Sequence, residues 1–254
     1  MLQRAFRTVR DGLLGLAYPE ECRVCGGAVE SWDDGVACAT CWTDPDVTKL
    51  IHTPVCAKCG VRMSGSFDFA PASPPETRSR LCGRCVELPF AAARACGVYS
   101  GALEASVLFL KVNPHLCSRL RWIIANSFVE HREALACDVV APVPLHPIRE
   151  KQRGFNQAAL IASAISSKFN LQLDDRSLVR TKPTERHRAG LDATDRARSV
   201  DRAFAVARVG SIAGARVLLV DDVYTTGSTI CAAARSLIEG GAGQVKVLTV
   251  ARVG

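Results

Sequence analysis

The sequence predicts an α/β fold, in which a parallel or mixed sheet is flanked by helices and preceded by a small cysteine-rich module. Apolar, strand-like runs alternate with helical stretches from about residue 91 onward. The run RVLLV at 216–220 lacks polar alternation, as expected of a central strand covered on both faces. Four CxxC pairs lie before residue 86. The first two observations predict the sheet, and the third predicts the separate module.

The composition is that of a globular protein. Of 254 residues, 48% are hydrophobic and 22% are charged, which excludes a disordered chain, a collagen-like fibre and a coiled coil. The net charge of +7 is compatible with a polyanionic partner, although such an excess is most often a solvated surface. No run approaches the roughly 18 apolar residues that a membrane helix needs, so we expect no membrane span.

The first 18 residues are similar to a secretory signal because they begin with basic residues and contain the apolar run LLGLA at 13–17. That run is short, Asp11 precedes it, and no A-x-A cleavage site follows. We therefore predict an exposed amphipathic helix at 1–18 and a cytoplasmic protein. The chain contains 12 cysteines, and in a reducing compartment metal ligation explains them better than disulfides do.

Eight of these cysteines predict zinc sites. Each CxxC turn presents two thiolates to one ion, and two turns complete a tetrahedral site. The chain order favours two sequential sites, while an interleaved pairing and redox-active pairs remain as alternatives. Four protein thiolates leave no open coordination position, so we predict two structural Zn²⁺ ions in a double zinc ribbon over 19–90. The pairs are Cys22/Cys25, Cys38/Cys41, Cys56/Cys59 and Cys82/Cys85. The other four cysteines, Cys96, Cys117, Cys137 and Cys231, are predicted to be buried packing thiols.

The second half alternates strands with helices. The helix that begins at 227 is stopped by glycines, and a basic loop at 143–157 follows the second strand. The predicted strands are 94–100, 138–144, 177–180, 203–207, 216–223 and 244–253, and the predicted helices are 102–112, 116–132, 155–169 and 227–239.

The stretch after RVLLV predicts an anion site. Asp221 and Asp222 end the strand, and a loop rich in hydroxyl groups leads into the next helix. Ligands of open α/β sheets bind past the carboxyl ends of the strands, and helix N-termini attract phosphate. A capped helix after an acidic turn is the alternative, and neither a Walker A loop nor a dinucleotide motif is present. The loop residues are Thr225, Thr226, Gly227, Ser228 and Thr229.

The basic loop at 143–157 follows another strand and is therefore expected at the same edge of the sheet. It carries His146, Arg149, Lys151 and Arg153 against the single acid Glu150. Cationic donors there would stabilise a pyrophosphate group, although a solvated loop is the alternative.

The stretch from Val217 to Thr229 resembles the type I phosphoribosyltransferase signature, an apolar strand, two aspartates, two further residues and TTG. The resemblance implies binding of 5-phosphoribosyl-1-pyrophosphate (PRPP) with Mg²⁺. The loop would hold the 5′-phosphate, and the two aspartates would hold the ribose hydroxyls. It also implies a type I phosphoribosyltransferase-like sheet over 91–254.

Upstream, PVPLH at 142–146 and RGFNQ at 153–157 resemble the ComF family of competence-associated proteins. The zinc module and the segment after Pro183 are similar to that family as well. The resemblance implies action on single-stranded DNA during DNA uptake in natural transformation, together with a competence helicase or other uptake proteins. It also places Lys111 beside the pyrophosphate. Arg188 and Ser199 depart from the family's usual Gln and Asn.

No general base is identified, because Thr225 stands where some phosphoribosyltransferases carry a catalytic Asp. His146 and His187 are candidate substitutes. A small-molecule phosphoribosyltransferase of nucleotide metabolism and a non-catalytic PRPP sensor are the alternative functions.

Overall fold

The computed structural model describes residues 21–31, 33–52, 54–63, 81–82, 85, 87–182 and 203–253. The helix predicted at 1–18 lies outside the described residues, as do His187, Arg188 and Ser199. No helix among the described residues has the length and apolar character required to cross a membrane.

Strands and helices alternate after residue 91 as the sequence predicts, whereas the helices at 39–43, 132–135 and 147–153 and the strand at 172–173 are not predicted from it. The helices are α1 (Ala39–Thr43), α2 (Gly101–Leu110), α3 (Ser118–Glu130), α4 (Arg132–Leu135), α5 (Pro147–Arg153), α6 (Gln157–Phe169) and α7 (Ser228–Glu239). The strands are β1 (Ala92–Val98), β2 (Val139–Pro142), β3 (Gln172–Leu173), β4 (Leu178–Arg180), β5 (Phe204–Val206), β6 (Arg216–Tyr224) and β7 (Gln244–Arg252).

The main sheet is parallel, with the strand order β1-β7-β6-β2-β3. Strands β4 and β5 form a separate antiparallel pair. The last pairing between β2 and β6 joins Pro142 to Val220, whereas β6 continues beside β7 as far as Tyr224. Residues 221–224 therefore project past the end of β2, and a notch opens at the carboxyl edge of the sheet.

The core has two layers, one on each face of the sheet. Val217–Val220 are fully buried, because successive side chains of a strand point to opposite faces and both faces are covered. On one face Leu218 and Val220 pack with α2, α3 and α6. On the other face Val217 and Leu219 pack with α7 and the β4–β5 pair. The predicted α/β sheet flanked by helices is confirmed.

The cysteine-rich segment packs directly against this domain. Cys22, Cys38, Cys41 and Trp42 belong to the same core cluster as Leu110 and Leu120 of α2 and α3. The indole of Trp42 donates to the carbonyl of Asp34 at 2.7 Å. A Cβ at Gly35 would lie 2.7 Å from Cys117, so only glycine allows the first ribbon to approach α3 this closely.

The segment 143–157, predicted as a loop, contains helix α5. Pro147 occupies the first turn, and the side chain of His146 accepts a hydrogen bond from the backbone amide of Ile148. Gly154 ends the helix in the left-handed conformation. Of the four cysteines predicted to be packing thiols, Cys96, Cys117 and Cys231 are buried, and Cys137 is half-buried.

Candidate functional site

Eight cysteines form two groups, and the grouping is sequential. The sulfurs within each group lie within 4.8 Å of one another, which decides against the interleaved pairing. The first group is Cys22, Cys25, Cys38 and Cys41, and the second is Cys56, Cys59, Cys82 and Cys85.

The donor sets fit tetrahedral zinc. Zinc–sulfur bonds of about 2.3 Å place the sulfurs of a tetrahedral site about 3.8 Å apart. The observed separations are 3.8 Å between Cys25 and Cys38, and 3.4 Å between Cys59 and Cys82. Disulfide sulfurs would be about 2.05 Å apart, so these cysteines are free thiols. Four protein sulfurs close each site to substrate, and the role that fits them is structural.

Backbone amides support both cysteine groups. The amide of Cys38 donates to the sulfur of Cys22, and the amide of Cys82 donates to the sulfur of Cys56, each at 3.3 Å. Such donors partly offset the negative charge of a four-thiolate site. In the second group, Arg94 of β1 donates to the carbonyl of Ala57 at 3.1 Å, which fixes that turn to the sheet.

Asp221 and Asp222 lie in the part of β6 that projects past β2. Asp222 is buried, and its carboxylate accepts from the amide of Val223 at 2.8 Å and from the side chain of Gln157 at 3.3 Å. The carboxylate of Asp221 accepts from the amide of Asp222 at 2.8 Å. Burial, followed by the charge of Asp222, raises the pKa of Asp221 well above its usual range. Two adjacent carboxylates held in this way favour a cation or hydroxyl donors.

The loop after β6 leads into a helix start that has a glycine, and therefore no side chain, at its N-cap. Helix α7 begins at Ser228, and its first turn contains no acidic residue. The amide of Ser228 donates to the hydroxyl of Thr226 at 3.4 Å. Thr225, Thr226 and Ser228 are exposed, and the hydroxyls of Thr226 and Ser228 lie 2.9 Å apart. Gly227 has a φ of +81°. A helix start of this kind, lined by hydroxyls, can bind one phosphate group.

Helix α5 brings cations to the same notch. Arg153 donates to the side-chain oxygen of Gln157, and Gln157 donates to Asp222, so one amide joins the basic helix to the acidic pair. Burial and the like charge of Arg149 lower the pKa of Arg153, whereas Asp222 opposes this shift. Lys151 is exposed on α5, and His146 caps the helix.

Sequence reasoning assigned no role to two residues of this site, Gln157 and Arg180. Gln157 stands in the RGFNQ motif, where Asn156 caps α6 through Ala158 and also donates to the carbonyl of Val143 at 3.0 Å. Arg180 ends β4, and its guanidinium lies over the ring of Phe204. Burial and the charge of Arg149 lower the pKa of Arg180, and Asp221 opposes them. The sequence feature that could have indicated Arg180 as a site residue is its position as a cation at the end of a predicted strand.

The predicted place of Lys111 beside the pyrophosphate stays a prediction. Lys111 follows α2, which begins at Gly101 and is about 15 Å long at 1.5 Å per residue. The neighbouring Phe109 carries the guanidinium of Arg23 on its ring at 5.0 Å, so this end of α2 contacts the first zinc ribbon.

Comparison with known families finds two matches along the chain. Residues 13–86 match the double zinc ribbon domain, and residues 156–254 match the phosphoribosyl transferase domain. The second match contains β6, both aspartates and the loop before α7. The fold and these matches define a phosphoribosyltransferase-domain protein that carries a double zinc ribbon.

Three relatives align with 118 to 221 residues of this chain. The chain is 29% identical over 221 residues to the DNA utilization protein YhgH of Escherichia coli K12, covering 84% of this chain and 96% of that protein. It is 35% identical over 136 residues to competence protein F of Haemophilus influenzae, covering 53% and 59%. It is 33% identical over 118 residues to competence protein ComFC of Bacillus subtilis, covering 45% and 44%. The two domain matches and these relatives are consistent with the ComF family.

Among solved structures, the glutamine PRPP amidotransferase of B. subtilis aligns with a TM-score of 0.34 and 22% identity, covering 51% of this chain and 25% of that chain. The purine phosphoribosyltransferase of Pyrococcus horikoshii aligns with a TM-score of 0.33 and 18% identity, covering 53% and 71%.

Proposed function

We propose that the protein binds PRPP, with Mg²⁺, in the notch at the carboxyl edge of its sheet. The observation that carries the proposal is the continuity of three features along β6 and α7, namely two aspartates past the end of β2, a hydroxyl-lined turn at Gly227, and a helix start with glycine at its N-cap. In the proposed complex, the turn binds the 5′-phosphate and Asp221 and Asp222 accept from the ribose hydroxyls. A hydrated Mg²⁺ is held indirectly by the two carboxylates.

The pyrophosphate of PRPP would lie toward α5. Support comes from Arg153, which donates to Gln157 beside Asp222, and from Arg149, one turn earlier on α5, whose like charge helps to lower the pKa of Arg153. Multiply charged phosphate groups stabilise such clusters. During transfer, charge develops on the departing pyrophosphate, so these guanidinium groups would favour C1–O bond cleavage.

Calorimetry with PRPP and Mg²⁺ tests the site. The wild-type protein should bind with a measurable heat, and the double variant Asp221→Ala/Asp222→Ala should lose that binding while it retains two zinc ions. A matched control is Asp175→Ala, which removes an exposed aspartate that forms an ion pair with the exposed Arg176. Wild-type affinity in the double variant would overturn the assignment.

The biological role that we propose is action on single-stranded DNA taken up by the cell, in the cytoplasm and alongside other DNA-uptake proteins. Support comes from the relatives, whose names specify DNA utilization and competence, and from the net charge of +7. Binding to the backbone would be tolerant of sequence and would weaken as salt rises.

A titration with fluorescently labelled single-stranded DNA at low and moderate salt tests this role. Binding that falls with salt supports it, and no binding at low salt rejects it. Incubation with PRPP, Mg²⁺ and nucleobases, monitored for pyrophosphate release, tests the two other functions. Turnover on a nucleobase would indicate a small-molecule phosphoribosyltransferase, and PRPP binding without turnover on any acceptor would indicate a sensor.

A further inference from the structure

The carbonyl of Cys59, a ligand residue of the second cysteine group, accepts a hydrogen bond from Arg252 of β7 at 2.8 Å. The guanidinium of Arg252 also lies 5.3 Å from the centre of the Tyr224 ring. Tyr224 is the last residue of β6, and it pairs with Arg252 in the sheet register. A planar cation stacked on an aromatic ring holds both partners more firmly than a flexible ammonium would.

Tyr224 in turn supports the phosphate loop. A Cβ built at Gly227 would lie 2.5 Å from the hydroxyl of Tyr224, so this hydroxyl occupies the space beneath the turn. The ring of Tyr224 also packs edge-on against Phe90, with centroids 6.4 Å apart. The loop backbone therefore lies on Tyr224, and Tyr224 is held between Phe90 and Arg252.

Apolar packing also connects the second cysteine group to the start of α7. Leu88, three residues after Cys85, packs against the cysteines of the second group and also against the core that contains Tyr224 and Ile230 of α7. The first cysteine group packs in the core on the other face of the sheet. Within the part of the chain that the structure describes, the second group shares a contact layer with the start of α7 through Leu88, whereas the first group packs on the opposite face.

We propose that the second zinc site, through Arg252 and Tyr224, sets the conformation of the phosphate loop, so that zinc retention at this site and PRPP binding stabilise each other. This inference rests on the proposed PRPP site. Without zinc, the turn at Cys56–Cys59 would no longer hold its carbonyl toward Arg252. Arg252 would then no longer be fixed against the ring of Tyr224, which would be held by Phe90 alone. The hydroxyl of Tyr224 would no longer be fixed beneath the turn at Gly227. Linkage requires the effect to be reciprocal.

Pulse alkylation of the wild-type protein tests the reciprocal effect. Zinc is removed with a chelator in the presence or absence of PRPP and Mg²⁺, cysteines are alkylated at intervals, and mass spectrometry of peptides identifies which site opens. PRPP should slow alkylation of the second group by about 5- to 150-fold, the range of typical coupling between sites. Alkylation of the first group should change by less than twofold. Equal protection of both groups, or of neither, would overturn the inference.

Two arginine variants form the matched test of the contact. Arg252→Ala removes the tether of the second ribbon, and Arg119→Ala removes the corresponding tether of the first, where Arg119 bonds Asp34 at 2.9 Å. Arg252→Ala should retain two zinc ions and weaken PRPP binding at least fivefold by calorimetry, whereas Arg119→Ala should bind as the wild type does. Unchanged affinity in Arg252→Ala would refute the contact's role.

Arg252→Lys serves if Arg252→Ala does not fold, since a lysine can still donate to Cys59 but does not stack on the ring. Arg252→Lys should bind PRPP more weakly than the wild type does. A failure of the proposed function gives a different result, because the wild-type protein itself would then show no heat with PRPP.

Discussion

Gln157 donates its side-chain amide to Asp222 at 3.3 Å while its oxygen accepts from Arg153. One uncharged residue thereby holds an anion and a cation of the site apart and orients both. Gln157 is 6% exposed, so water replaces these bonds poorly. The first residue of α6 thus fixes the position of Arg153 of α5 relative to Asp222 of β6.

Gln157→Ala should weaken PRPP binding roughly tenfold, since a hydrogen bond to a charged group contributes about 1.5–3 kcal/mol. Calorimetry with PRPP and Mg²⁺ measures the change. Gln152→Ala, at an exposed position of α5, is the control and should bind normally. Equal affinities for the two variants would show that the Gln157 bridge does not order the site.

Asp221→Asn should stabilise the protein at neutral pH while it impairs PRPP binding. Burial and the charge of Asp222 raise the pKa of Asp221, so its ionised form is disfavoured by folding. A raised carboxyl pKa means that the native state is favoured while the group is protonated, and that this advantage is lost as pH rises through the folded-state pKa. The gain should be about 0.5–2 kcal/mol at pH 7, as for other stabilising substitutions, and should vanish below the pKa of an unfolded aspartate. Denaturant unfolding at several pH values measures it, and a gain that persists in acid would contradict the cause given.

Gly227→Ala should destabilise the protein more than Gly154→Ala does. Both glycines have a left-handed backbone, with φ of +81° and +83°, and such strain costs an alanine about 1–2 kcal/mol. A Cβ at Gly154 meets nothing within 4 Å, whereas a Cβ at Gly227 collides with Tyr224. Overpacking of this kind adds about 1–3 kcal/mol. Urea unfolding compares the two variants, and equal losses would show that Tyr224 moves away freely.

Cys25→Ser should release one zinc and lower the unfolding temperature of the whole described fold. The first ribbon shares its core with α2 and α3, so the metal's folding energy supports both. Zinc content by elemental analysis and thermal unfolding by circular dichroism measure the two effects. Cys117→Ser, a buried cysteine outside both groups, should keep two zinc ions. An unchanged main transition in Cys25→Ser would show that the ribbon unfolds separately.

The sequence predicts the sheet because its signals are local and consistent. The unbroken apolar run before Asp221 admits only a strand buried on both faces, and the turn at Gly227 marks the start of α7. The spacing of the CxxC pairs likewise predicts two zinc sites. Helix α5 is missed because its helical signal is short and its charges are those of a loop, while its stability comes from the cap by His146 and from Gly154.

The site residues that escape prediction depend on distant contacts. Arg180 ends a three-residue strand, and no local pattern places it near Asp221. The contact of Arg252 with Cys59 joins positions 193 residues apart, and the periodicity of apolar residues along the sequence does not predict a contact between such distant positions. The predicted domain boundary between residues 90 and 91 follows from the change in composition there. Composition does not reveal that Trp42 and Leu110, on either side of that boundary, share a core.

The position of β7 between β1 and β6 governs the order of events during synthesis. Among the described strands β7 leaves the ribosome last, yet it is the strand that joins β1, which emerges before the others, to the main sheet. The other edge of β1 carries an isolated bridge, from Gly97 to Leu50. β1 and the metal-bound turns beside it therefore cannot complete their packing until the chain has been synthesised as far as residue 252. Closure of the sheet is a late, non-local event, and a ribosome stalled within β7 would leave that apolar edge open to chaperones and proteases.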